Sequence, residues 1–191
     1  ALAVVNNVPL LERNIKFLQN YGINNFVINV HHFGEQIIDF LQEKENFGAK
    51  IEISDEKNEL LETGGGLVFA KKHLENEENF LIMNADILTD LNITEFVKFH
   101  LSHQNVATLA VSDRVSSRKL MFNEDMILKG WVNKTTGETK LSEFNKNFKE
   151  LAFSGIHCVN SSIFDKIKRT GKFSIMEEYL DLMFENHIQG F

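Results

Sequence analysis

The segment Leu61-Glu62-Thr63-Gly64-Gly65-Gly66-Leu67, followed by the apolar run Phe80-Leu81-Ile82-Met83 and then Asn84-Ala85-Asp86, constrains the fold of this chain most. Three consecutive glycines ahead of a helix-like stretch remove every Cβ from a short length of backbone, so another group can come close to it. An unbroken apolar run is the pattern of a central strand in a parallel sheet, covered on both faces. A carboxylate just past such a strand stands where open α/β sheets place their ligand chemistry. Together these features imply a nucleotide held by backbone and a metal held by Asp86.

Strand and helix patterns alternate along the first half. Asn6-Asn7 reads as a turn, and Leu2-Ala3-Val4-Val5 before it as the end of a strand. Pro9 suits the first turn of a helix running to about Asn20, with Gly22 just past its end. Phe26-Val27-Ile28-Asn29-Val30 is β-rich, and Ile37, Ile38 and Leu41 then recur at helical spacing. Ile51-Glu52-Ile53 alternates like a strand, and the glycines open a helix ending near His73. After the apolar run, residues 95–103 read as a helix with Thr94 as its cap, and residues 106–111 as a further strand. This alternation predicts an α/β fold with a doubly wound, mostly parallel, Rossmann-like sheet.

The pattern changes after residue 112. Lys119-Leu120-Met121-Phe122, Ile127-Leu128 and Gly130-Trp131-Val132 read as short strands, with a turn at Thr136-Gly137-Glu138. They predict a small antiparallel β insertion lying over the ligand edge of the sheet. Residues 151–159 read as another strand, and residues 161–169 and 174–187 as helices. No repeat or interdomain linker interrupts the chain, so residues 1–191 are read as one domain.

Composition removes several function classes. A net charge of -7 argues against nucleic acid as a partner, because binding a phosphate backbone needs a basic surface. No apolar stretch approaches membrane-spanning length. The single cysteine, Cys158, makes no internal disulfide, which fits a reducing cytoplasm. It has no evident activating base, so it reads as a small buried residue. His31 and His32 point to opposite faces of an extended chain and make a poor metal pair. The acidic run Glu75-Asn76-Glu77-Glu78 reads as a solvated loop.

The site candidates each have a plainer alternative. A ligand-free turn is the alternative for Glu62, Thr63, Gly64 and Gly65, but three glycines cost more backbone entropy than such a turn needs. Exposed amides at that helix start would donate to a base, ribose or phosphate. The pattern is not a P-loop, because no Gly-Lys-Ser/Thr follows. For Asp86 a cap or turn role is as good a reading, and Asp90 suits it equally. Arg118, in Ser116-Ser117-Arg118, is a surface arginine or a contact for a sugar phosphate, whose oxygens its fork fits. Gly155, in Phe153-Ser154-Gly155-Ile156, lies inside a strand and marks either a bulge or a sugar lying against the backbone.

The order Pro9-Leu10-Leu11-Glu12, Val27-Ile28-Asn29, Leu61-Glu62-Thr63-Gly64-Gly65-Gly66, Asn84-Ala85-Asp86 and Phe153-Ser154-Gly155-Ile156 resembles sugar-1-phosphate nucleotidyltransferases along the whole chain. The Glu-Thr-Gly-Gly-Gly stretch is most similar to N-acetylmuramate-1-phosphate uridylyltransferases of cell-wall recycling. Relatives of these are often labelled mannose-1-phosphate guanylyltransferases. Asn84-Ala85-Asp86 departs from the family's usual Asn-Gly-Asp, a change that a negative φ at Ala85 would accommodate.

The resemblance implies an NTP, with UTP favoured, and a sugar 1-phosphate as substrates, with Mg²⁺ as cofactor. It implies that Asp86 holds the metal and is catalytic. Glu62, Thr63, Gly64, Gly65 and Ala85 would meet the nucleotide, and Ser154, Gly155 and Arg118 the sugar phosphate. The family also has an N-terminal strand and a G-x-G-T-R-L-x-P-L-T loop ending in Pro-Lys, and a Trp-x-Asp-Val-Gly-Thr segment bearing a second metal aspartate. The first would precede Ala1 and the second follow Phe191, so the expectation is a domain truncated at both ends, inactive by itself. A nucleotide-sugar sensor without catalysis is one alternative. A metal-dependent glycosyltransferase is the other, weakened because position 84 of an Asp-x-Asp pair is Asn.

Overall fold

Asn6 and Asn7 both take left-handed backbone conformations, with φ of 48° and 62°. They close a two-residue hairpin between β1 (Val4–Val5) and β2 (Val8–Pro9), a geometry that asparagine tolerates better than most residues. The expected turn is present, and the apolar residues before it belong to a small hairpin instead of ending a longer strand. The computed structural model describes residues 1–57, 59–143 and 147–191.

Helix α1 (Leu10–Gln19) buries Leu11, Ile15 and Leu18, three positions that share one helical face. β3 (Asn25–Val30) and β4 (Lys50–Asp55) pair in parallel, Asn25 opposite Lys50, and α2 (Gly34–Glu43) makes the crossover that parallel strands require. Leu11, Ile15 and Leu41 form the core of this unit, with Phe26, Ile28, Ile51 and Ile53 packed against them.

Helix α3 (Glu62–Ala70) and a 3₁₀ turn (Lys71–His73) lead into β5 (Asn79–Met83). Helix α4 (Ile93–His103) precedes β6 (Ala107–Ser112). The cap of α4 is Asn92, whose side chain accepts from Glu95 N at 3.2 Å, and not Thr94. Both residues are good caps; Asn92 lies one position before the first helical residue, where a side-chain oxygen meets the third amide.

The insertion is antiparallel, as expected: β7 (Arg118–Phe122), β8 (Leu128–Asn133) and β9 (Thr139–Leu141) form a meander. The twelve-residue β10 (Lys149–Asn160) joins it to the rest. Its start pairs with β7, and its remainder lies between β5 and β6, antiparallel to both. β5 and β6 therefore run the same way but are separated by a strand from after the insertion. The fold is α/β with a mixed sheet.

Along β6, Ala107 and Leu109 enter one core and Ala110 the other, the alternation a strand covered on both faces must show. The larger core holds Phe122, Leu128, Ile163, Tyr179 and Ile188; the smaller holds Phe96, Ile156 and Cys158 beneath α4. The last two helices are shorter than their patterns predict, α5 at Ile163–Lys166 and α6 at Ile175–Leu182. The chain ends in a strand, β11 (Ile188–Gly190), parallel to β6. Burying Ile188 completely against β6 favours sheet over a further helical turn. Among the described residues no helix is long and apolar enough to cross a membrane.

Candidate active site

Asn84, just past β5, donates its backbone N–H to Gly155 O at 2.9 Å. Gly155 has a φ of 80°, and β10 slips register against β6 between Phe153 and His157, so the predicted bulge is present. A Cβ on Gly155 would lie 3.1 Å from Asn84 Nδ2 and 3.2 Å from Ile87 Cγ2. The glycine is thus needed both for its left-handed backbone and for the close approach of the Asn84 turn. Ala85 O accepts from Asn14 Nδ2 of α1 at 3.2 Å. Asp86 is exposed in the following turn, and among the described residues no hydrogen bond or ion pair occupies its carboxylate. Ser154 Oγ lies 3.3 Å from Ser112 Oγ, at the end of β6. The structure therefore brings Ala85, Asp86, Ser154 and Gly155 together.

The glycines of α3 are approached closely, but by the protein itself. Cβ atoms on Gly64 and Gly65 would clash with the Phe173 ring and with Gly171 O, and one on Gly66 would lie 2.5 Å from Glu56 Oε1. The amides of Gly64 and Gly65 donate to Phe173 O at 2.9 and 3.3 Å, and Thr63 Oγ1 accepts from Ile175 N at 3.0 Å. These donors, expected to be free at the helix start, are engaged by residues 173–175. Glu62 is left-handed, with a φ of 60°, exposed, and 3.7 Å from Lys172 Nζ. A non-glycine residue in that region stores strain, which its neighbours must hold in place.

Glu56 was not among the expected residues. It follows β4 as Asp86 follows β5, so the rule that selected Asp86 applies to it equally. Its side chain is buried, with the residue only 4% exposed. Oε2 accepts from Leu61 N at 2.9 Å and Oε1 from Asn29 Nδ2, while Glu56 O meets His31 Nδ1 at 2.7 Å. One carboxylate thus fastens the end of β3 to the turn that starts α3, with Gly66 directly over it.

A cavity of about 1150 Å³ connects the two halves of the site: Asn29, Thr63 and Gly66 line it on one side, Asn84, Ala85 and Phe153 on the other. Arg118 stands exposed at the start of β7, its backbone pinned by Ser116 Oγ. The arginine that reaches the Ser154 bend is Arg114, whose Nη2 donates to Phe153 O at 3.0 Å; it precedes a β-poor stretch, with no sequence signal to mark it. His31 and His32 do not point to opposite faces: β3 ends at Val30, the chain turns at His32, and the two rings stand 4.5 Å apart; the described residues contain no group of three or more His, Cys, Asp or Glu able to hold a metal. Cys158 is buried, as expected, and burial pushes its thiol up to about 12. Beside it His157 is fully buried, its Nδ1 2.5 Å from Tyr179 OH, and burial lowers its pKa to about 3.

The chain is similar to known proteins in sequence and in fold. Residues 1–172 match the profile of the family described as Nucleotidyl transferase. Among curated proteins, a probable mannose-1-phosphate guanylyltransferase 2 of Oryza sativa subsp. japonica is 29% identical over 167 residues, 85% of this chain and 44% of the relative. The mannose-1-phosphate guanylyltransferase catalytic subunit beta of Xenopus tropicalis is 32% identical over 108 residues, 56% of this chain and 30% of the relative. The chain thus spans less than half the length of these curated relatives. Among solved structures, HddC from Yersinia pseudotuberculosis complexed with GMP-PN superposes with a TM-score of 0.80 at 20% identity, over 100% of this chain and 79% of that one. At that identity the match speaks for the fold.

Proposed function

Because the chain belongs to the nucleotidyl transferase family, we propose that it forms the core of an enzyme that joins an NTP to a sugar 1-phosphate and releases pyrophosphate. The observation that carries this reading is the convergence of the Thr63–Gly66 turn and the Asn84-Ala85 turn on one cavity, with the free Asp86 carboxylate and the Ser154-Gly155 bend beside it.

In such a reaction an oxygen of the sugar 1-phosphate attacks the α-phosphorus, and the bond to the pyrophosphate oxygen breaks. The nucleophile is already ionised at neutral pH, so no general base is required, and alignment and charge neutralisation supply the rate. Asp86 offers one hard oxygen donor, which is how magnesium is commonly held, with substrate phosphates completing the shell. When bound there, the ion would neutralise charge on the transferring phosphoryl group. Glu62 and Thr63 border the base and ribose, Gly64 and Gly65 shape that turn from beneath, and Ala85 closes its far side. Gly155 and Ser154 border the sugar. Arg114 is better placed than Arg118 to meet its phosphate, because it is anchored at Phe153.

We place the reaction in the cytoplasm, where NTPs are available, with no nucleic-acid or membrane partner. The Glu-Thr-Gly-Gly-Gly resemblance favours UTP and a muramate-type sugar in cell-wall recycling; the names of the curated relatives favour GTP with mannose 1-phosphate. The test is pyrophosphate release by the full-length protein with UTP, GTP, CTP and dTTP against muramate-, glucosamine-, mannose- and glucose-type 1-phosphates. Signal confined to one pair identifies the substrates. Silence from a folded protein that still binds a nucleotide sugar replaces this reading with the sensor.

A further inference from the structure

Residues 168–172 form an exposed strap between α5 and α6, with Gly171 at a φ of 71°. Its far end is fastened to the turn that starts α3. Phe173 N donates to Leu61 O at 3.1 Å, and Phe173 O accepts from the amides of Gly64 and Gly65. Ile175 N then donates to Thr63 Oγ1 at 3.0 Å, which joins the first turn of α6 to the Thr63 turn. The strap passes so close above α3 that a Cβ on Gly65 would strike Gly171 O. Lys172 reaches Glu62, 3.7 Å away, whose left-handed backbone has to be held by its neighbours.

At the near end one side chain draws the strap back along α6. Arg169 Nε and Nη2 both donate to Asp181 Oδ2, at 3.1 and 2.5 Å. Lys140 of β9 donates to the other oxygen of the same carboxylate. Glu177 and Glu178 approach the guanidinium as well, each at 3.6 Å. Glu178 differs from its neighbours. Its side chain is 3% exposed, and its Oε2 has no hydrogen-bond partner among the described residues. An exposed ion pair alone contributes little, but a buried carboxylate that loses the cation facing it costs far more. Arg169 is therefore held more firmly than a surface pair, and the chain from Arg169 to Asp181 is closed into a loop. The glycine turn of α3 packs against the middle of that loop.

We propose that Arg169 is a positioning residue for the nucleotide turn: by clamping the strap to α6 it keeps Gly171 and Phe173 seated on Gly64 and Gly65, and so fixes the Thr63 turn in the form that receives the nucleotide. Arg169 touches no substrate in this scheme and acts through residues 171–175. Asp181 is the anchor of the clamp, and Lys140 holds that anchor from the β insertion. The inference rests on the reading of the Thr63 turn as the one that meets the base and ribose. Those groups are remote from the phosphorus that reacts, so a loosened turn weakens ground state and transition state alike. The expected signature is a raised KM for the nucleotide with kcat unchanged.

The test compares Arg169→Met, which keeps most of the apolar stem, with Arg169→Lys and the parent, all in the full-length protein. Amide exchange is read at Gly64, Gly65 and Ile175, with Leu109 and Ala110 of β6 as reference. Arg169→Met is expected to speed exchange about ten-fold at the first three amides and leave the reference unchanged. With UTP and GTP as probes, its nucleotide KM is expected to rise about five-fold, while kcat and the KM for the sugar 1-phosphate stay within about two-fold. Arg169→Lys, which keeps a cation beside Glu178, is expected to fall between parent and Arg169→Met. Unchanged exchange at the three amides overturns the clamp whatever the kinetics, and so does equal acceleration in β6, which is general destabilisation. Local acceleration with an unchanged nucleotide KM overturns the positioning role by removing the nucleotide reading of the turn, and leaves the clamp standing. Should Arg169→Met fail to fold, Asp181→Asn, which leaves Arg169 beside Glu178, is read at the same amides. No local acceleration there overturns the proposal.

Discussion

The backbone N–H of Asn84 donates to Gly155 O at 2.9 Å, so the turn that carries Asp86 is fixed to the bend in β10. Gly155 holds a φ of 80°, with Asn84 Nδ2 in the space its Cβ would approach. Gly155→Ala is expected to cost about 1–2 kcal/mol for the left-handed backbone alone. That corresponds to a Tm lower by roughly 2–8 °C for a chain of this size. Calorimetry of the single variant checks it, and a Tm within a degree of the parent removes the constraint.

The packing of the three glycines separates two substitutions that composition would treat alike. Gly65→Ala drives a methyl into Gly171 O, which is backbone, whereas Gly64→Ala drives one into the Phe173 ring. A side chain can be trimmed, a carbonyl cannot. Gly64→Ala should therefore be partly rescued by Phe173→Leu, and Gly65→Ala should not. Urea melts of the two singles and the two doubles read this directly; equal rescue of both would mean that residues 171–173 shift as a unit.

Glu56 supplies a third test. Its carboxylate accepts from Leu61 N and from Asn29, both in a buried setting. Hydrogen bonds to charged groups contribute about 1.5–3 kcal/mol, and an orphaned donor adds its own penalty. Glu56→Ala is expected to destabilise by about 3 kcal/mol, and Glu56→Gln by less, since an amide oxygen still accepts from Leu61 N. If Gln and Ala are equally damaging in denaturant melts, the charge and not the geometry holds this corner together.

Much of the fold was legible because it rests on local periodicity. Leu11, Ile15 and Leu18 mark α1 by spacing, Asn6-Asn7 marks the hairpin, and Gly155 marks the bulge against which the Asn84-Ala85-Asp86 turn of the candidate site packs. What was not legible depends on partners distant in sequence. Three glycines announce a close approach but cannot say that Phe173, Gly171 and Glu56 make it. β5 reads as a strand, yet nothing in Phe80-Leu81-Ile82-Met83 reveals that β10 will be its neighbour. Ile188-Gln189-Gly190 is too short to oppose the helical pattern before it, and only burial against β6 makes it a strand. Glu56 was within reach, since it follows its strand as Asp86 does.

Asp86 should separate function from stability. It is exposed and no described residue pairs with it, and surface substitutions of this kind usually stay within about 0.5 kcal/mol. Asp86→Ala in the full-length protein is expected to keep its Tm within about 2 °C while losing at least 100-fold in pyrophosphate release. Asp86→Asn should resemble Ala, because magnesium needs the charge. Retained turnover in either variant would move the metal role elsewhere.

The buried pair His157 and Tyr179 gives stability a pH dependence whose sign can be worked out. Burial lowers the folded pKa of His157 to about 3, against about 6.5 in an unfolded chain. Between these values the unfolded state binds a proton that the folded state refuses. Stability is therefore full above about pH 6.5 and falls as the pH drops, by at most about 1.4 kcal/mol per unit from this group. His100, whose pKa burial also lowers, contributes with the same sign. Stability of the parent measured by urea melts at pH 7.5 and 5.5 should fall between the two, and His157→Gln, which does not titrate, should fall less. The His157→Gln variant is less stable at pH 7.5 if the Tyr179 hydroxyl loses a good partner, so the comparison rests on the change with pH and not on the absolute value. Parallel pH dependence in parent and variant would mean that His157 has the same pKa folded and unfolded, and that burial beside Tyr179 does not hold its ring neutral.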